Sequence, residues 1–450
     1  MHCTTWHTAY ESSLLTMSIT VTKSSPVLVR PATAPVPDSP AVRHIALSSF
    51  DKAVTFLPMT TIYVFDGAIH EPAETVRRAL SQALVHYYPI AGRPVVGPDG
   101  ELRIACSGDG VPFVAATANC SLADVELFDP PFAPLLKELL IGFGPEGCRE
   151  SGPLMMVQVT KFAGGGFVVG VTRNHVICDG KGTAQFMQAV GELARGYPQP
   201  SVLPASRADD ALPPLPRLVL AMEKTMATLE PQSFVNLDLT VPSALIDGVK
   251  TDFLRCTGEP CTVYEAVVAV LWQCRTRAVM TDPAAPAMLL FAANVRKLVG
   301  AKDGYYGNCI TSAAIAPASG EVANGDIKDV VKLIKRCKRG IPDQFKNAMG
   351  SEVGYVVEGV SEEKLGEVIG YNALFVTNWK NVGHEAVDFG GGGGGGGGGP
   401  ARVMCWLENT GVPYCVACQP CKNKDGASVS TLCVREEHAD AFLGELAKFM

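Results

Sequence analysis

The chain has 450 residues, of which 47% are hydrophobic and 18% charged, with a formal net charge of -7 at neutral pH. That balance excludes a disordered polypeptide and argues against nucleic acid as the natural partner, while leaving room for a local basic cleft that holds one anionic ligand. One ordinary core cannot absorb this length, so two large domains are expected.

Residues 1–16 carry His2, Trp6, His7, Tyr10 and Glu11 without an apolar centre. They do not read as a secretory signal, and we expect an extension ahead of a start at Met17. Val21 to Val29 alternates and predicts a strand, after which Pro31, Pro35, Pro37 and Pro40 impose an extended loop. Strands are expected at 45–49 and 59–65, with Ser48 to Asp51 as a turn. Val76, Ala79, Leu80, Ala83, Leu84 and Tyr87 recur at helical spacing, bracketed by Pro72 and Pro89, and predict the first long helix over 71–87. Ala91-Gly92-Arg93 and Pro98-Asp99-Gly100 punctuate a hairpin whose second arm is 102–106. A short strand at 111–114 follows. Strands at 154–162 and 166–171, joined by Ala163-Gly164-Gly165, lead directly into His175, and helical spacing returns over 182–195.

Residues 17–197 thus read as an N-terminal domain. Six prolines between Pro198 and Pro216 mark 198–234 as a linker, and 235–450 reads as a C-terminal domain. In it we expect a strand at 235–239, a helix at 243–251, and an apolar helix at 262–279 with Thr262 and Glu265 at capping-box spacing. Strands at 288–294 and 308–315 precede an amphipathic helix at 327–339. Strands at 374–377, 402–407, 414–418 and 430–434 would complete the second sheet, with a closing helix at 436–449. Ten consecutive glycines, Gly390 to Gly399, interrupt this half. Glycine loses the most entropy on ordering, so a mobile loop is expected; a phosphate cradle would need an interleaved lysine and a following helix.

The 15 cysteines are scattered and mostly embedded in apolar runs, as Cys106, Cys178, Cys274 and Cys309 are, which fits reduced thiols in a cytoplasmic protein better than a disulfide framework. No apolar run reaches the ~18–20 residues of a membrane span. Cys415, Cys418 and Cys421 have a zinc-like spacing, but no matching second knuckle follows, and a strand running into a turn suits them better. Trp272 and Trp379 read as core or channel residues, and His384 and His438, among polar neighbours, as surface histidines.

The stretch that carries chemistry is His175-Val176-Ile177-Cys178-Asp179-Gly180. A histidine at a strand end, followed by a carboxylate and a glycine at the start of a helix, is where an imidazole can be held in a fixed orientation as a general base. By spacing alone a satisfied core histidine is as good a reading. A metal site built on His175 and Asp179 lacks further ligands in the sequence.

These six residues match the HxxxDG motif of the plant BAHD acyl-CoA-dependent acyltransferases, which the chain resembles over residues 17–450. Asp388-Phe389-Gly390 begins what looks like that family's DFGWG motif. Weaker blocks agree in order: Tyr88-Pro89 with Ala91-Gly92-Arg93, Thr262 to Ala266, Asn294-Val295-Arg296, Gly304 to Asn308, and Thr377-Asn378-Trp379. The resemblance implies an α/β, two-domain fold like that of chloramphenicol acetyltransferase, each domain a mixed sheet packed with helices, with an active-site channel between them. It implies that His175 deprotonates a hydroxyl or amine of a plant specialised metabolite, which then attacks acyl-CoA. Acyl-CoA would be a co-substrate, with no permanently bound cofactor, no metal, and no nucleic-acid or membrane partner, in a cytoplasmic monomer. It further implies that Asp179 pairs with Arg296 as a brace, supported by Gly180 and Asn308, and that Thr377 and Trp379 line the channel. Asp388, Phe389 and Gly390 would support the fold. Where relatives continue with a tryptophan, this chain continues with glycines, and lost packing is the expected result. The alternative is a catalytically silent, CoA-binding relative disabled there.

Overall fold

The computed structural model describes residues 19–33, 42–55, 57–129, 133–144, 148–205, 212–347, 365–391, 398–406 and 410–449. The expectations for 1–16 and for the middle of the glycine run, 392–397, lie outside the described residues. The fold is α/β, with two domains each built on a mixed sheet.

The first large sheet runs in the order Val21–Lys23, Val111–Ser121, Met155–Ala163, Phe167–Asn174, Pro58–Phe65, Arg402–Trp406, and Val27–Val29 also pairs with Val111–Ser121. Its Val111–Ser121 and Met155–Ala163 strands are parallel, and the Phe167–Asn174 strand is antiparallel to both its neighbours. Val157, Val159, Val169 and Val171 face the helices Pro72–His86 and Gly180–Ala194, while Ile62, Val64 and Val168 face a second apolar layer with Leu136 and Leu139. Burial on both faces is why the strand before His175 reads as a continuous apolar run instead of an alternating one.

The second sheet runs Asn236–Val241, Ala427–Leu432, Tyr414–Cys418, Leu374–Asn378, Leu289–Asn294, Ile310–Ile315. Beneath it lies the helix Val263–Val279, mostly apolar and buried on nearly all sides, Glu265, Gln273 and Arg275 included, because helices Ser243–Thr257, Ile327–Arg339 and Glu436–Ala447 enclose it. Its capping box is formed: the Glu265 N–H donates to the Thr262 hydroxyl and the Thr262 N–H to the Glu265 carboxylate. A small third sheet joins His44–Ala46, Leu102–Ala105 and Arg93–Val96.

Four expectations are corrected. Ser48 to Asp51 is not a turn but opens a helix, Ser49–Ala53, with Ser48 and Asp51 forming a capping box. The expected short strand at 111–114 extends to Ser121, because Ala116, Ala118 and Cys120 point inward between the exposed Thr117 and Asn119. The presumed linker contains the helix Arg217–Thr228, started at Pro216 and held by Leu218, Val219 and Met222 against Leu290 and Phe375 of the second sheet. Arg402–Trp406 joins the first sheet, antiparallel to Pro58–Phe65, and not the second. Arg402 is anchored there by Asp129 and by Asp238 at the edge of the other sheet.

Candidate active site

His175 follows the last residue of the strand Phe167–Asn174, and its main chain is tied at both ends. Its N–H donates to the Leu57 carbonyl at 2.8 Å, and its carbonyl accepts from the Asn308 amide at 2.8 Å. The same amide donates to the buried Asp51 at 2.9 Å, so Asn308 clamps the helix Ser49–Ala53 to the histidine loop. The loop then closes on Asp179, which caps the helix Gly180–Ala194 by accepting from the Gly182 N–H at 2.9 Å.

Asp179 is 2% exposed and its carboxylate is saturated. The Arg296 guanidinium reaches it through two nitrogens at 2.8 and 2.9 Å, and the Cys309 N–H at 3.1 Å. Arg296 donates in addition to the Tyr305 and Gly307 carbonyls at 3.1 and 2.7 Å. Burial alone would raise the carboxyl pKa, but the charge and hydrogen bonds of Arg296, with the two N–H donors, outweigh it and hold Asp179 below the ordinary range. Since Arg296 comes from the second domain, this bidentate pair also bridges the domains. The close fit extends to Gly182, where a Cβ would lie 1.8 Å from the Tyr306 carbonyl oxygen.

A cavity of about 220 Å³ opens at this junction. Thr55, Leu57, Met59, His175 and Gly180 line it from the first domain, and Ser312, Phe375, Thr377, Trp379 and Tyr414 from the second. Burial, reinforced by the nearby Arg173 charge and only partly opposed by Asp179, lowers the His175 pKa to about 4, so the imidazole is neutral at physiological pH. Its Nδ1 has no hydrogen-bond partner among the described residues. A neutral imidazole on a mainly apolar cavity can accept a proton from a donor placed there.

The cavity thus brings together His175, Asp179, Gly180, Arg296, Thr377 and Trp379, while Asn308 acts from behind it. Asp388, Phe389 and Gly390 lie elsewhere, at the other end of the helix that Asp179 caps: Asp388 binds Arg195 at 3.0 Å, and Phe389 packs edge-on against Phe65. Gly191 meets that segment so closely that a Cβ would lie 2.3 Å from the Asp388 carbonyl oxygen.

His384 is not on the surface. It is 2% exposed, accepts or donates at 2.7 Å with the Tyr63 hydroxyl, and tilts against Trp379 at 5.1 Å between ring centroids. Gln188 binds the preceding Gly383 carbonyl at 2.7 Å and pulls this turn onto the helix, which local polarity did not foretell. His438 is also partly covered, bonded to Tyr371 at 2.9 Å. Cys415 and Cys418 lie on a strand, and among the described residues no group of three or more His, Cys, Asp or Glu is arranged to hold a metal ion.

Several contributors were missed. Asp51 was readable from the Ser48–Asp51 spacing. Arg173, fully buried between the Thr61 hydroxyl and the Cys178 carbonyl, was signalled only by a charge inside an apolar strand. Glu223, from the presumed linker, also lines the cavity, and no local pattern announces it.

The profile of the Transferase family matches residues 17–394. Acyl transferase 15 of Oryza sativa subsp. japonica is 44% identical over 449 residues, covering 96% of this chain and 99% of that protein. This chain belongs to the BAHD acyltransferase family. A second BAHD relative, the myricetin 3-O-glucosyl 1,2-rhamnoside 6'-O-caffeoyltransferase AT1 of Crocosmia x crocosmiiflora, is 33% identical, covering 96% of this chain and all of its own. The BAHD fold is matched by the crystal structure of vinorine synthase, with TM-score 0.69 and 17% identity over 96% of this chain and 98% of that one. F. graminearum TRI101 complexed with ethyl coenzyme A gives TM-score 0.63 and 15% identity, covering 91% and 99%.

Proposed function

We propose that this BAHD acyltransferase moves an acyl group from acyl-CoA to a hydroxyl or amine of a plant specialised metabolite, with His175 as general base. The observation that carries this reading is a neutral imidazole lining an apolar cavity between the domains, its main chain pinned by Leu57 and Asn308 while Asp179 is fully engaged by Arg296. The coenzyme A complex of a neighbour in fold supports CoA as the carrier, and the caffeoyltransferase relative supports a small-molecule acceptor.

In this mechanism the acceptor oxygen or nitrogen attacks the thioester carbonyl as its proton passes to His175. The tetrahedral intermediate collapses, the carbon–sulfur bond breaks, and the imidazolium returns the proton to the CoA thiolate. A histidine whose charged form is disfavoured by burial is a weak base but a ready acid. That suits it to hold the proton briefly and give it to a thiolate, whose conjugate acid has a pKa of about 8.5. Asp179 does not relay the proton; it braces the loop. Acyl-CoA is a co-substrate, and the reaction calls on no metal or resident cofactor. With that reading we propose a cytoplasmic monomer.

Incubation with acetyl-CoA or caffeoyl-CoA and a panel of alcohols and amines is expected to release free thiol. His175→Ala is expected to lower that rate by about 10²–10⁴-fold. A His175→Ala enzyme as fast as wild type would overturn the assignment.

A further inference from the structure

Glu223 is a carboxylate on a cavity otherwise lined mainly by apolar and hydroxyl side chains. The helix Arg217–Thr228 presents it beside Met226, opposite Phe375, Val412 and Tyr414. One of its oxygens accepts from the Ser312 hydroxyl on the edge strand of the second sheet. Among the described residues no lysine, arginine or histidine lies within ion-pair distance of it: Arg296, which shares the cavity, is taken by Asp179, and Lys181 does not reach it. Protein surrounds Glu223 while solvent touches it through the cavity, and this burial, partly offset by the Ser312 bond, raises its pKa to about 7.

A carboxylate kept without a cation in such a place is costly unless it takes up a proton or a cationic ligand completes it. Acyl-CoA brings phosphates, which a carboxylate repels, so the complementary group belongs to the acceptor. We propose that Glu223 is a specificity residue for acceptors bearing a protonated amine, whose ammonium docks between Glu223 and Ser312 while a separate hydroxyl or amine is presented to His175. This rests on the acyl-transfer reading above for the placing of the reactive group, but the cation site itself does not depend on turnover. Its ligand class is therefore an amino alcohol or a polyamine, in place of a neutral phenol or sugar.

The test compares 6-aminohexan-1-ol with heptan-1-ol, which carries a methyl where the former has its ammonium, in a mildly alkaline buffer that keeps both the amine and the carboxylate charged. With the full-length protein and acetyl-CoA, the kcat/KM ratio should favour the amino alcohol by about 10-fold or more, the scale of one charge-assisted hydrogen bond. In Glu223→Gln, an isosteric change that removes a buried charge, the ratio should fall to near unity. Calorimetric binding of the same two compounds to both proteins should show the same ratios. If no acceptor releases thiol, the acyl-transfer reading fails, and the binding ratio still decides the cation site. Equal binding of the two compounds by the wild-type protein, or a preference retained in Glu223→Gln, overturns the proposal.

Discussion

At the level of single residues, the site separates a group that moves a proton from groups that hold it in place. His175 is uncharged because it is buried near Arg173, and its backbone is fixed by Asn308 and Leu57. Asp179 and Arg296 form a buried bidentate pair, 2% and 11% exposed at the side chain. Removing one partner leaves the other charge without compensation, so Arg296→Met is expected to lose about 3–5 kcal/mol in urea unfolding. Arg296→Lys should recover only part of this, because an ammonium cannot span both carboxylate oxygens and the two carbonyls of Tyr305 and Gly307. A stable Arg296→Met protein would show that the bridge is dispensable.

The helix Gly180–Ala194 is the element on which the site turns. Asp179 caps its start, and the Asp388–Gly390 segment rests on its end through Arg195 and Gly191. Its first turn passes so near the Tyr306 carbonyl that only glycine fits at position 182. Gly182→Ala sits at a helical position where alanine is intrinsically favoured, yet it should destabilise by roughly 3 kcal/mol, since the clash is with backbone that cannot rotate away. Thermal unfolding of that variant beside one at Gly444, where a Cβ meets nothing within 4 Å, separates packing from propensity. Equal effects at the two sites would refute the close-approach account.

For the molecule as a whole, two buried neutral histidines link stability to pH. Burial, then the Arg173 charge, lowers His384 to about 3, and His175 lies at about 4, both below the ordinary value of 6.5. The unfolded chain binds these protons first as pH falls. The stability the two sites contribute is therefore intact above about 6.5 and is lost progressively as pH falls toward 4 and 3. Replacing His384 with Gln, which cannot take up a proton, should flatten the decline of the thermal midpoint between pH 7 and 5. An unchanged slope would place the acid sensitivity elsewhere.

How much of this was legible follows from the range over which each signal acts. The long helices, the Thr262 capping box and the strand before His175 depend on periodicity and neighbours within a few residues, and the ordered motif blocks pointed to the family. What only the tertiary structure decided rests on contacts across the chain. Arg402–Trp406 joins the first sheet although it comes late in sequence, because an edge beside Pro58–Phe65 is open to it. His384 is buried because a helix some two hundred positions earlier captures Gly383. Glu223 meets Ser312 only when a segment that reads as proline-rich linker docks on the second sheet. By itself the sequence determined the strongly periodic helices, the strand before His175 and the histidine loop, since short-range spacing and chain stereochemistry specify them, but not the helices Ser49–Ala53 and Arg217–Thr228. Which distant side chains share a cavity was settled by packing, which no local pattern records.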